Sequence, residues 1–172
     1  MVTIQLIQPH QQQAAKQVIL TVCQELWGVS EEIVLGLDPL SDLHNVEDSY
    51  FNQNGVFFVL VDGERVVGTG GVRHWRGDIC ELKRLWFLKD YRGQGLGRLM
   101  TERILDFATA RGYQRIRLDV ADAEVQVQAI KLYRQRGFYF IERYNDGPCS
   151  VFMEKVLEEN TSTLSPPLKR AA

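Results

Sequence analysis

The chain reads as an α/β domain: a mixed sheet with helices on both faces. Three observations predict it. Strand-like and helix-like segments follow one another in the order β-α-α-β-β-β-α-β-α-β-β. A continuous apolar run over residues 56–61 meets Asp62-Gly63 and a returning apolar segment over 65–72, the pattern of a buried hairpin. Finally, a glycine turn, Tyr91-Arg92-Gly93-Gln94-Gly95-Leu96-Gly97-Arg98, joins a strand-like run to a strongly amphipathic helix.

Each element has its own reason. Residues 2–8 form a short first strand that Pro9 ends. From Ala14, the positions Ala15, Val18, Ile19, Val22, Cys23 and Leu26 keep helical spacing until Gly28. Residues 29–54 are less regular; they predict a loop through Pro39 and then a helix over about 40–51. After the hairpin, residues 80–88 form a strand with broken alternation. Lys83 and Arg84 are adjacent charges, and Leu85-Trp86-Phe87-Leu88 are four adjacent apolar residues. A strand that loses its period in this way predicts a bulge or a splayed pairing. Leu96, Leu99, Met100, Ile104, Phe107 and Ala108 mark one face of the next helix, which Gly112 closes. A strand over 115–120 follows. Val125, Ala129, Leu132 and Tyr133 stripe a further helix ended by Gly137, and strands over 138–143 and 150–156 complete the order. Residues 1–157 are expected to be one domain and the polar stretch 158–172 a disordered tail.

Composition narrows the possible functions. Apolar residues make up 45% and charged residues 24%, ordinary values for a globular protein. A net charge of −2 exerts no general pull on nucleic acid or anionic membrane. Positive charge is nevertheless gathered in Arg73, Arg76, Lys83, Arg84, Lys89, Arg92 and Arg98, which suits either a solvated face or a small polyanion. The three cysteines and three histidines are dispersed, so neither a disulfide framework nor a metal site is expected. Residues 1–10 carry no signal-peptide pattern and no apolar run spans a membrane, so a reduced cytoplasmic setting is expected.

The glycine turn carries the chemistry. Alternate glycines let backbone approach a ligand closely, and the following helix turns its unpaired N–H groups toward the same place. Such a turn suits phosphate oxygens, although it can also serve only to connect a strand to a helix. It is not a P-loop, because Arg98 and Leu99 stand where Lys and Ser/Thr are required. It is not the dinucleotide fingerprint either, because Arg98 or Met100 occupies the place of the third glycine. What fits is Arg-x-x-Gly-x-Gly, as Arg92, Gly95 and Gly97, after Glu81-Leu82-Lys83-Arg84-Leu85-Trp86-Phe87-Leu88. This resembles the pyrophosphate-binding motif of the GNAT family of acyl-CoA-dependent N-acetyltransferases. Ala129-Ile130-Lys131-Leu132-Tyr133 with Arg136-Gly137-Phe138 resembles that family's later motif, and Ser150-Val151-Phe152-Met153-Glu154-Lys155 its last strand. The resemblance covers roughly residues 56–156. It departs at Gln126, where many members carry an Asn.

The resemblance implies the GNAT fold, with a mostly antiparallel sheet of six to seven strands. It also implies acetyl-CoA as donor, a primary amine as acceptor and direct transfer in a ternary complex. Backbone groups of Trp86, Phe87 and Leu88 would pair with the pantetheine amides, and those of Gly93, Gln94, Gly95, Leu96, Gly97 and Arg98 would hold the pyrophosphate beside Arg92; Gln126 would be a further cofactor contact. An N–H near Phe87 or Leu88 would stabilise the developing oxyanion. Tyr133 would protonate the departing thiolate, although by periodicity alone it is a core aromatic. Glu81 stands where some members carry a catalytic base; otherwise it is a surface carboxylate or a partner of Lys83 or Arg84. The acidic residues Asp38, Asp42, Glu47 and Asp48 suit a cationic amine or a solvated helix face. The acceptor's identity is not legible, a homodimer is compatible, and a non-catalytic acyl-CoA sensor on the same fold is the alternative.

Overall fold

A computed structural model describes residues 1–158; residues 159–172 of the expected tail lie outside the described residues. One seven-stranded sheet runs in the order β1-β2-β3-β4-β5-β7-β6. Its strands are β1 (Val2–Leu6), β2 (Val56–Asp62), β3 (Arg65–Arg76), β4 (Ile79–Phe87), β5 (Arg115–Val120), β6 (Tyr139–Ile141) and β7 (Val151–Val156). All neighbouring pairs are antiparallel except β4 with β5. The sheet is therefore mixed and mostly antiparallel, in agreement with the sequence.

Among the described residues five α-helices cover it: α1 (Gln12–Trp27), α2 (Glu31–Leu37), α3 (Val46–Ser49), α4 (Leu96–Ala110) and α5 (Val127–Gln135). β2 shows why both faces need cover. Phe57, Val59 and Val61 enter one core with Ala15, Val18, Ile19 and Val22 of α1, while Val56, Phe58 and Leu60 enter another with Met100 and Ile104 of α4. Strict alternation with apolar residues on both sides produces three layers. Gly70 brings α4 close to β3, since a Cβ there would lie 2.8 Å from Met100 Cγ.

The irregular segment 29–54 differs from its expected form. The stretch read as loop contains α2, capped by the Ser30 hydroxyl accepting the Ile33 N–H at 3.3 Å. The single helix expected over 40–51 is instead α3 flanked by two 3-10 turns, Ser41–Leu43 and Phe51–Gln53. Leu40 and Asn54, both at positive φ, bracket these short pieces. β3 runs on past 72 to Arg76, and β6 is confined to Tyr139–Ile141.

Candidate active site

β4 and β5 stay paired only from Ile79↔Arg115 to Glu81↔Arg117. Beyond that point β5 continues against β7 as far as Val120, whereas β4 remains with β3 as far as Phe87. A gap therefore opens inside the sheet, with β4 backbone along one side.

The broken alternation of β4 is a bulge at Arg84, whose φ is 60°. Register slips there, between Gly71↔Lys83 and Thr69↔Trp86. A left-handed conformation costs a non-glycine residue about 1–2 kcal/mol. The surroundings hold it in place: Thr69 Oγ1 donates to the Arg84 carbonyl at 2.7 Å, and the guanidinium is clamped between Asp38 and Asp42. Arg84 Nη2 lies 2.7 Å from Asp42 Oδ1. Burial alone would raise the Asp42 carboxyl, but the hydrogen bonds and charge of Arg84, aided by the Tyr50 hydroxyl, lower it to about 2. Asp42 is therefore buried against Arg84 and not part of a solvated face, while Asp38, 46% exposed, pairs with the same guanidinium from its open side.

The backbone beyond the bulge divides by direction. Trp86 pairs with Thr69, and the Leu88 N–H is given to the Val67 carbonyl at 3.0 Å. Alternation in an antiparallel ladder turns the Phe87 N–H and carbonyl the other way, toward the gap. Of the three residues whose backbone the resemblance implicates, Trp86 and Leu88 thus face β3 and Phe87 faces the gap. Its carbonyl already accepts Arg92 Nε at 2.8 Å, which leaves the N–H. The Trp86 side chain packs edge-on against Trp27 on the α1 face.

Gly93 and Gly95 have φ of 72° and 78°, so the alternate glycines meet a real backbone demand. Gly95 is the N-cap of α4 with no side-chain cap, and no acidic residue lies in the first turn. The Leu99 N–H is the first to find an intrahelical carbonyl, that of Gly95. The N–H groups of Leu96, Gly97 and Arg98 point out of the helix end, where an added Cβ at Gly95 would meet nothing within 4 Å. Arg92 does not lend free charge to this turn. It forms a two-pronged pair with Glu25 of α1 at 2.8 and 3.1 Å, so it fastens the turn to the helix. Arg98 pairs with Glu102 at 3.0 Å, Gln94 donates to the Asp90 carbonyl, and Gln126 Oε1 accepts the Asp122 N–H at 3.1 Å. Within the expected cationic cluster, Arg84 and Arg92 are thus paired with acids distant in sequence, and Arg98 with Glu102 one helical turn on.

Glu81 sits at the fork. It is 2% exposed, and Oε2 accepts the Tyr144 hydroxyl at 2.7 Å while Lys83 Nζ lies 3.7 Å from Oε1. It is not a surface carboxylate. Cys80 and Leu82 enter the α4 core, so Glu81 between them faces the α1–α3 side. Tyr133 belongs to that α4 core, 6% exposed, and its ring packs against Phe138. The two expected catalytic residues therefore lie on opposite faces of the sheet. Burial first, and then the charge of Asp119, push the Tyr133 hydroxyl well above its ordinary range, so it stays protonated. Among the described residues the one fully buried side-chain nitrogen or oxygen without a partner is Arg136 Nε, so the Tyr133 hydroxyl is not a sealed orphan. Tyr144 is the residue the sequence did not reveal: it lies between β6 and β7, and no local motif links it to Glu81. No group of three or more His, Cys, Asp or Glu among the described residues is placed to hold a metal ion.

A GNAT acetyltransferase family model matches residues 20–138. The chain belongs to this family. The uncharacterized N-acetyltransferase YjgM of Escherichia coli (strain K12) is 31% identical over 134 residues, covering 75% of this chain and 77% of that one. Many other curated relatives are longer: the chain spans about half the length of human N-acetyltransferase 8B and its kin. Among solved structures, an acetyltransferase from Streptococcus agalactiae 2603 is 26% identical with a TM-score of 0.74, over 91% of this chain and 98% of that one. A phosphinothricin acetyltransferase from Sinorhizobium meliloti, solved with AcCoA, shares the fold at 15% identity and a TM-score of 0.69, over 94% of this GNAT chain and 91% of that one. No helix among the described residues is long and apolar enough to cross a membrane.

Proposed function

We propose that this GNAT chain transfers the acetyl group of acetyl-CoA to a primary amine by direct attack in a ternary complex. The observation that carries the reading is the gap between β4 and β5, with the uncapped N-terminus of α4 beside it and Glu81 and Tyr133 on its two faces. Unpaired N–H groups of residues 96–98 suit the pyrophosphate, which gains from the helix dipole as well. The Phe87 N–H, turned to the gap, suits the thioester oxygen as charge builds on it. Family membership and the fold shared with a protein solved with AcCoA support the choice of donor.

The placement separates the two proton transfers. The amine approaches from the Glu81 face and its nitrogen bonds to the thioester carbonyl carbon. A proton leaves the nitrogen toward Glu81, the carbon–sulfur bond breaks, and the thiolate takes a proton from the Tyr133 hydroxyl on the opposite face; the tyrosinate regains a proton from solvent once CoA has left. The three cysteines are free, which supports a reducing, cytoplasmic compartment for this chemistry.

Calorimetry with acetyl-CoA, followed by thiol-release assays over a panel of amino acids, peptides, polyamines and aminoglycosides, tests the proposal. Binding together with thiol release on at least one amine is expected. Binding with no release on any of them overturns the enzyme reading in favour of an acyl-CoA sensor.

A further inference from the structure

Glu81 has no open face from which to touch an amine. Its side chain is 3% exposed, and the hydroxyl of Tyr144 sits on Oε2 at 2.7 Å. Tyr144 is held on three sides: Trp75 meets its ring edge-on at 5.1 Å, Phe152 does so at 5.3 Å, and the Arg117 guanidinium lies 5.2 Å from its centroid. Trp75 is 36% exposed and Tyr144 half-buried, so this aromatic pair forms the outer surface over the carboxylate. A carboxylate sealed by one fixed hydroxyl communicates with the outside through that hydroxyl.

We propose that Tyr144 is the proton relay between the acceptor amine and Glu81. The inference rests on the acetyl-transfer reading above. In the step, an N–H proton of the attacking amine passes to the Tyr144 oxygen as the Tyr144 O–H proton passes to Glu81 Oε2. The phenol is regenerated, Glu81 becomes the neutral acid, and one proton has left the nitrogen. Reversal of the same two transfers after product departure returns that proton to solvent.

The charges around the pair fit this role. Arg73 stands opposite Glu81 on β3 but carries its guanidinium over Tyr50, 5.7 Å from the ring centroid. Lys83 follows on β4. Arg117 on β5 is committed to Glu154 of β7 at 2.5 Å, and Asp119 accepts Asn145 Nδ2 at 2.9 Å. Lys83 Nζ lies 3.7 Å from Glu81 Oε1, beyond hydrogen-bond distance, and among the described residues no cation is hydrogen-bonded to the Glu81 carboxylate, so a proton arriving on Oε2 leaves the Lys83 side of the carboxylate in place. Burial, followed by the charge of Glu81 and its hydrogen bond, holds the Tyr144 hydroxyl far above the ordinary tyrosine range. It therefore rests as the protonated phenol, poised to donate to Glu81.

Tyr144→Phe keeps the ring and its three neighbours and deletes only the hydroxyl. With an amine that the wild type acetylates, kcat/KM near neutral pH is expected to fall by roughly a hundredfold or more, on the scale of losing a general base. The loss should shrink as pH rises and the amine becomes neutral unaided, and acetyl-CoA affinity should stay unchanged. Glu81→Gln should match it, and the double variant should be no worse than either single one. A proton inventory on the wild-type chain should bow, reporting two protons in flight, and needs no variant to fold. A wild-type pH profile in Tyr144→Phe, additive losses in the double variant, or a linear inventory would each overturn the relay while leaving acetyl transfer intact. A wild-type chain inert toward every amine overturns acetyl transfer itself, and the relay with it.

Discussion

Gly95→Ala separates the backbone demand of the glycine turn from its contact with ligand. Gly95 has φ of 78°, so any L side chain there is strained by about 1–2 kcal/mol. Nothing adds to that cost in the free chain, because a Cβ would meet no atom within 4 Å. For a domain of this size the melting temperature should fall by roughly 2–8 °C. Gly112 provides the matching control. Its φ is 82°, its added Cβ also meets nothing, and it lies at the far end of α4. Gly112→Ala should lose the same stability and keep its affinity for acetyl-CoA. Gly95→Ala should lose at least tenfold in affinity, about 1.4 kcal/mol, because its methyl projects into the open space at the helix end that a ligand on the N–H groups of residues 96–98 would occupy. Thermal melts and calorimetry on the two variants provide both readings. Equal affinities in the two variants, whether both normal or both weakened, would refute the assignment of this turn as the phosphate contact.

Two further outcomes follow from buried groups. Tyr133→Phe should leave stability nearly unchanged, and with a substrate whose chemical step is rate-limiting it should lower kcat by roughly ten- to a thousandfold; normal turnover in the folded variant would return Tyr133 to a packing role. Asp42 contributes to acid stability: its carboxyl lies at about 2 in the folded chain against about 3.9 unfolded. A depressed carboxyl stabilises fully above the unfolded value and loses that contribution as pH falls through the folded one, so about 2 kcal/mol should vanish between about pH 4 and pH 2. Urea midpoints for Asp42→Asn should be lower at neutral pH and flatter over that interval; a midpoint-versus-pH curve parallel to wild type would contradict the Arg84 clamp.

Much of this GNAT domain is legible in residues close together along the chain. The period of α1, α4 and α5, the Asp62-Gly63 hairpin, the bulge implied by Lys83-Arg84 and the positive-φ glycines of the turn all arise from local backbone and side-chain geometry, which a few neighbouring residues specify. The segment 29–54 is not legible, because its short turns are held by tertiary contacts rather than by periodicity. The same holds for the partners of the charged groups. Arg92 meets Glu25 across 67 positions, Arg84 meets Asp42 across 42, and Glu81 meets Tyr144 across 63. Such pairs depend on strand order and register. Because β7 inserts between β5 and β6, the segment that carries Tyr144 is brought over the fork where β4 parts from β5. Local sequence determined that a strand, a glycine turn and a helix follow one another. Only the closing of the sheet decided which carboxylate lies at the fork and which hydroxyl covers it, since contacts between distant residues exist only once the strands have been set side by side.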